Sequence, residues 1–141
     1  MSGDVEVVLQ IYTAGPELQS LMREGDHLAA HPWASLWHPE CVLEEPAEIP
    51  DSGIYSGREE IIRYFENAMH EVWDEWRFEP REIIEGRAGV FVAVDNSGRS
   101  KTGAEVEMKV FHVFRIQSGM VVYMGAFLDR AEALKVVGLE G

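Results

Sequence analysis

Hydrophobic and polar residues alternate most regularly between Glu105 and Gln117. One face of that stretch carries Val106, Met108, Val110, His112, Phe114 and Ile116, and the other carries Glu105, Glu107, Lys109, Phe111, Val113, Arg115 and Gln117. Period-two alternation predicts a strand with one buried face. Ser118-Gly119 supplies a turn, and Met120 to Leu128 reads as the returning strand of a long hairpin. Two shorter stretches, Trp76–Glu85 and Ala88–Asn96, have the same character, and Cys41–Glu45 reads as a short strand. The polar, glycine-rich run from Asn96 to Gly103 reads as a turn.

Elsewhere the period changes to that of a helix. Val5, Val8, Leu9 and Tyr12 fall at i, i+3, i+4 and i+7, with Asp4 as the expected N-cap. Gly15-Pro16 interrupts this segment, and Leu18, Leu21 and Met22 resume the stripe up to Gly25, the expected C-terminal glycine. His27 to Trp37 reads as a short helix with Pro32 near its start, ended by His38-Pro39. Pro46 to Gly57 reads as a loop, extended around Ile54-Tyr55. Ile61, Phe65, Ala68 and Val72 place a helix over 58–73, with Ser56 and Glu59 as its capping pair. Asp129 and Glu132 form a second capping pattern, starting a last helix that Gly138 ends.

The order of elements predicts an α+β fold: a curved antiparallel sheet with helices on one face, closed into a cone lined by the inner faces of the long strands. The 141 residues suit a single domain, 1–141, with no repeat or linker. A formal net charge of −13 argues against nucleic acid and anionic membrane surfaces as partners. No run approaches the ~18 apolar residues of a membrane span, and the start of the chain lacks signal-peptide character, so a cytoplasmic protein is expected. The lone Cys41 excludes an intramolecular disulfide and a cysteine-rich metal site. His27 and His31 stand at i, i+4, but Pro32 follows directly and no acid has a matching spacing. No metal and no cofactor is expected.

The chain resembles the SnoaL-like group of the nuclear-transport-factor-2-like (ketosteroid isomerase-like) superfamily. The resemblance rests on His38-Pro39 leading into Val42-Leu43-Glu44, on Tyr55-Ser-Gly-Arg-Glu-Glu-Ile-Ile-Arg-Tyr-Phe65, on Gly119-Met-Val-Val, and on Phe127-Leu-Asp-Arg-Ala-Glu-Ala-Leu134. It implies a single SnoaL-like domain with a cystatin-like α+β roll. The superfamily includes isomerases, cyclases, hydrolases and dehydratases, and also members without known activity, so fold alone does not decide function.

His112 is the first candidate. An imidazole on an apolar strand face is either a satisfied core residue or a working group, and the resemblance puts it near an oxyanion-stabilising position. Glu45 is the second. The resemblance of Glu44-Glu45-Pro46 to the isomerases implies that Glu45 is a general base, and an apolar cone would raise its pKa. The alternative is a glutamate facing solvent. The isomerase-type tyrosine has no clear counterpart, because alignment places Leu18 there; Tyr12 is the nearest phenol. Asp129 reads as a cap rather than a catalytic acid, and Asp95 and Arg115 do not complete an acid–arginine–acid set.

Trp33, Trp37, Trp73, Trp76, Tyr64, Phe65, Met69, Met108, Phe114 and Phe127 are enough to line an apolar cavity, although many must be plain core. The residues expected to meet a ligand are Tyr12, Trp37, Tyr55, Phe65, Met69, Trp73, Met108, Phe114 and Phe127. Two readings result. One is a cofactor-independent acid–base enzyme of isomerase, cyclase or hydrolase type, acting on a small hydrophobic or polycyclic compound, with Glu45 as base and His112 as donor. The other is a non-catalytic ligand-binding or dimerisation module. Both predict a homodimer, because Phe111 and Val113 lie on the outward face of the hairpin.

Overall fold

A computed structural model describes residues 3–46 and 53–139. The strands are β1 (Trp37–Glu44), β2 (Ile54–Ser56), β3 (Trp73–Gly86), β4 (Gly89–Ser100), β5 (Glu105–Gln117) and β6 (Met120–Phe127). They form one sheet in the order β2-β1-β6-β5-β4-β3. Neighbours are antiparallel except β1 and β6, which run parallel and place Leu43 beside Met124. The helices are α1 (Gly3–Thr13), α2 (Gly15–Arg23), α3 (Arg58–Asn67) and α4 (Arg130–Val136), with short 3-10 turns at Leu28–Ala30 and Pro32–Leu36. The expected α+β architecture is therefore present, and its helical boundaries need correction.

The apolar stripe of α1 buries Val5, Val8 and Ile11. Asp4 does not cap this helix; it lies inside the first turn. The chain turns at Ala14 into α2, which carries Pro16 in its first turn, where a missing N–H is harmless. Gly25 adopts φ +84, and the following Asp26 N–H donates to Leu21 O at 2.9 Å. Only glycine takes that backbone without strain, so the helix stops where the sequence places its glycine.

Three further expectations are corrected. His38-Pro39 does not end a helix but lies within β1, at an irregular stretch of its pairing with β6. The N-cap of α3 is Gly57 at φ +93, with no side-chain cap bond, so the Ser56–Glu59 capping pair is not formed; Ser56 is the last residue of β2. The run from Asn96 to Ser100 stays in β4 and only Lys101–Gly103 turns. Gly98 pairs with Trp76, and the Trp73 ring lies where a β-carbon at Gly98 would stand 2.9 Å away. The glycine thus marks a close approach of the Glu75 backbone oxygen and the Trp73 indole, not a break in the strand.

The inner face of the sheet and helices α1 to α3 share the main core, which includes Val8, Trp37, Leu43, Ile61, Val92, Val94, Val110 and Phe114. The fourth helix does not join them. It covers the opposite face, where Ala133 and Val137 bury Phe91 and Val113 and where Phe111 stacks on Phe91 at 5.9 Å. The outward apolar pair that suggested a second copy is therefore covered within the chain: Val113 is fully buried and Phe111 half-buried. The helix is fixed at its start by Asp129, whose carboxylate accepts from Ala131 N–H at 2.8 Å.

Candidate functional site: an apolar cavity with a tyrosine–histidine pair

Between α1, α2 and the inner face of the sheet lies a cavity of about 330 Å³. That volume is at the lower end for small-molecule sites, which are also mostly apolar. Aromatic rings make much of its wall: Trp33, Trp37, Phe65, Trp76 and Phe78, joined by Leu18, Met69 and Met124. The rings brace one another. Trp33 meets Trp37 edge-on at 5.6 Å and Phe65 at 5.7 Å, and Trp76 lies 4.8 Å from Phe78.

His112 enters this wall from the middle of β5, paired with Val92 on one side and Ala126 on the other. It is 4% exposed, the one buried polar side chain among the described residues. Tyr12, from the last turn of α1, meets it: the phenol oxygen lies 2.6 Å from His112 Nδ1, and the two rings are nearly parallel. Phe114 packs edge-on to both rings. Burial drives the imidazole pKa from 6.5 down to about 3 and holds the Tyr12 phenol well above its ordinary value. Both groups are therefore neutral across the physiological range. The pair is a hydrogen-bonding element that does not titrate near neutral pH.

Glu45 is not among the residues lining the cavity. It follows Cys41 and Leu43 on the inward parity of β1, just past the strand end, and its carboxyl is bonded by Tyr64 of α3. Burial raises it to about 7, although the Tyr64 hydrogen bond pulls the other way. Glu44 points to the opposite face, where it accepts from the Tyr123 hydroxyl at 2.9 Å. The structure thus puts His112 in the cavity and Glu45 beside the Tyr55–Tyr64 pair, whose rings lie 4.4 Å apart.

Of the residues expected to meet a ligand, Tyr12, Trp37, Phe65 and Met69 line the cavity. Five do not. Phe114 is fully buried core behind the pair, and Met108 packs against the core. Tyr55 lies against Tyr64, and Trp73 lines a separate polar depression with Arg23, Asp74 and Lys101. Phe127 is opposite Phe111 and so belongs to the outer face under α4. Asp95 is paired with Arg81 at 2.7 Å, and Arg115 lies over the Tyr123 ring on the outer face.

Phe78, Met124 and Gln19 also line the cavity and are not among the residues expected there. Phe78 was legible, since it repeats Trp76 at i+2 along one strand. Gln19 was not, because its role is a contact with backbone: its amide accepts from Trp76 N–H at 3.2 Å and donates to Trp76 O. That clasp ties α2 to the open edge of β3, filling ladder bonds a further strand would make.

The SnoaL-like domain family matches residues 21–124. The chain belongs to that family. Solved structures with the same fold include an NTF2-like protein from Burkholderia thailandensis, at 24% identity over 96% of this chain and 98% of that one, with a TM-score of 0.72. TerC, crystallised with polyporic acid, is 20% identical over 97% of this chain and 99% of its own, with a TM-score of 0.71. A cystatin-like protein of unknown function from Xanthomonas campestris is 14% identical over 99% and 100%, with a TM-score of 0.73. No functionally curated protein matches the sequence. Among the described residues, no helix of this SnoaL-like protein is long and apolar enough to cross a membrane.

Proposed function

We propose that this SnoaL-like protein binds a small, largely apolar ring compound in the cavity between α1, α2 and the sheet. The observation that carries the proposal is the cavity itself: about 330 Å³, walled by aromatic and aliphatic side chains, with the neutral Tyr12–His112 pair set into it. Apolar lining supplies affinity, and a few fixed polar groups supply orientation. TerC offers an example of the same fold crystallised with a small molecule.

The test uses N-phenyl-1-naphthylamine, a neutral probe that fluoresces when it leaves water. The native chain should bind it. Leu18 is buried on α2 and borders the cavity, so Leu18→Trp should fill the space and abolish binding while far-UV circular dichroism stays native. A native chain that leaves the probe dark would defeat the proposal.

A second reading, proton transfer at Glu45, is favoured by one observation: its carboxyl is pushed up to about 7, where it exchanges protons near neutral pH, and its place is beside Tyr55 and Tyr64 rather than on the cavity wall. Deuterium exchange into the α-position of a cyclic ketone reads this out. Glu45→Gln should slow it by about 10²-fold or more if Glu45 is the base; an unchanged rate removes Glu45 from the chemistry.

A further inference from the structure

The residues bordering the cavity are not equally covered. Thr13, Pro16, Arg77 and Glu79 are exposed, and the others are buried or half-buried. The mouth therefore lies where the corner between α1 and α2 faces the edge strand β3. One side of it belongs to the sheet. The other continues into α2, a helix of 9 residues.

Helix α2 is held lightly. Its buried residues are Leu18 and Met22, and both border the cavity, so part of each side chain faces space and not a packed neighbour. A helix this short gains little from its own backbone and depends on what it is fastened to. Two of its side chains reach the main chain of β3. Gln19 accepts from Trp76 N–H at 3.2 Å and donates to Trp76 O, and the Arg23 guanidinium donates to Asp74 O at 3.0 Å. Glu17 adds an exposed pairing with His31 at 3.2 Å.

Both ends of the helix are jointed. At the first, Ala14 leads into Gly15; at the second, Gly25 has φ +84, which glycine takes without strain. A β-carbon at Gly15 or Gly25 would meet nothing within 4 Å, so neither joint is wedged by a neighbour. Hinges are built this way, from a few element-terminal residues that absorb a change of backbone angle.

We infer that α2 is the gate of the cavity: it lifts from β3 about its glycine ends to admit and release the ligand, and the clasp of Gln19 on Trp76, backed by Arg23 on Asp74, holds it shut. This rests on the reading that the cavity holds a small molecule. When the helix lifts, the Trp76 N–H and C=O of an edge strand pass to water, which replaces the bonds they lose, so opening costs little.

The test measures the association and dissociation rates of N-phenyl-1-naphthylamine by stopped flow, in the native chain, Gln19→Met and Arg23→Met. Methionine keeps the length of Gln19 and removes both of its bonds to Trp76. A gate must open for entry and for exit alike. Gln19→Met should therefore raise both rates by about tenfold, while the dissociation constant changes by less than about twofold. Arg23 is exposed and lies outside the cavity wall. Arg23→Met should raise both rates by a smaller common factor, and it carries the test if Gln19→Met does not fold. If dissociation alone quickens, Gln19 is a piece of the wall and the inference falls. If both rates match the native chain in both variants, the inference falls while the cavity reading stands. A native chain that leaves the probe dark removes the cavity reading and the inference with it.

Discussion

Phe114→Ala should destabilise the fold by about 3–5 kcal/mol, the usual range for emptying a fully buried aromatic site. Phe114 lies behind the Tyr12–His112 pair, edge-on to both rings and paired with Val90 and Met124 across the sheet. Its neighbours sit on β4, β5 and β6, which cannot collapse into the gap without disturbing their ladders. Phe65→Ala should cost visibly less, because that ring is half-buried and already borders open space. Urea unfolding checks both: the Phe114 variant should show a much lower midpoint with little change in slope. A loss under about 1 kcal/mol at Phe114 would mean that this ring also borders the cavity.

The pH dependence of stability should show two opposing contributions. His112 has a folded pKa of about 3 against 6.5 ordinarily, so between those values the unfolded chain binds the extra proton and stability rises with pH. Glu45 has a folded pKa of about 7 against 4.5, so between those values the folded chain holds the extra proton and stability falls as pH rises. Each slope approaches about 1.4 kcal/mol per pH unit at full effect. In the window from 4.5 to 6.5 they cancel.

Removing either group should expose the other. His112→Phe should leave a chain that loses stability as pH rises from 4.5 to 7, and Glu45→Gln one that gains stability from 3 to 6.5. Measured against the native chain at every pH, the His112→Phe difference isolates the contribution of His112 and the Glu45→Gln difference that of Glu45, and a flat difference would show that the substituted group is not held as described. The same substitution at His112 leaves the buried Tyr12 hydroxyl without its partner, a further loss of about 1–3 kcal/mol that does not vary in this range.

Much of this arrangement was legible from residue order, and the rest depended on contacts that residue order does not carry. Alternation put His112 on the inward face, and Ser118-Gly119 supplied the positive-φ turn that folds β5 onto β6. Alternation also put Phe111 outward, and hairpin pairing then takes Phe127 outward with it, so its expected place in the cavity failed on register. The partner of His112 lies a hundred residues away on another element, and no local pattern predicts such a meeting. Glu45 illustrates a different limit. Its inward parity followed from the strand, while its distance from the cavity is set by where β1 ends and by the Tyr64 hydroxyl.

The parallel pairing of β1 with β6 has a consequence for synthesis. Strands β3 to β6 form from near neighbours along the chain, but β1 finds its main partner only when residues 120–127 have been made. During translation Trp37, Cys41 and Leu43, all fully buried in the end, must wait without their sheet while some eighty residues are added. Pairing over that separation is slow, and the apolar strand is open to wrong partners meanwhile. The central position of the last strand therefore makes the interval before its release the period when the nascent chain most needs shielding from its neighbours.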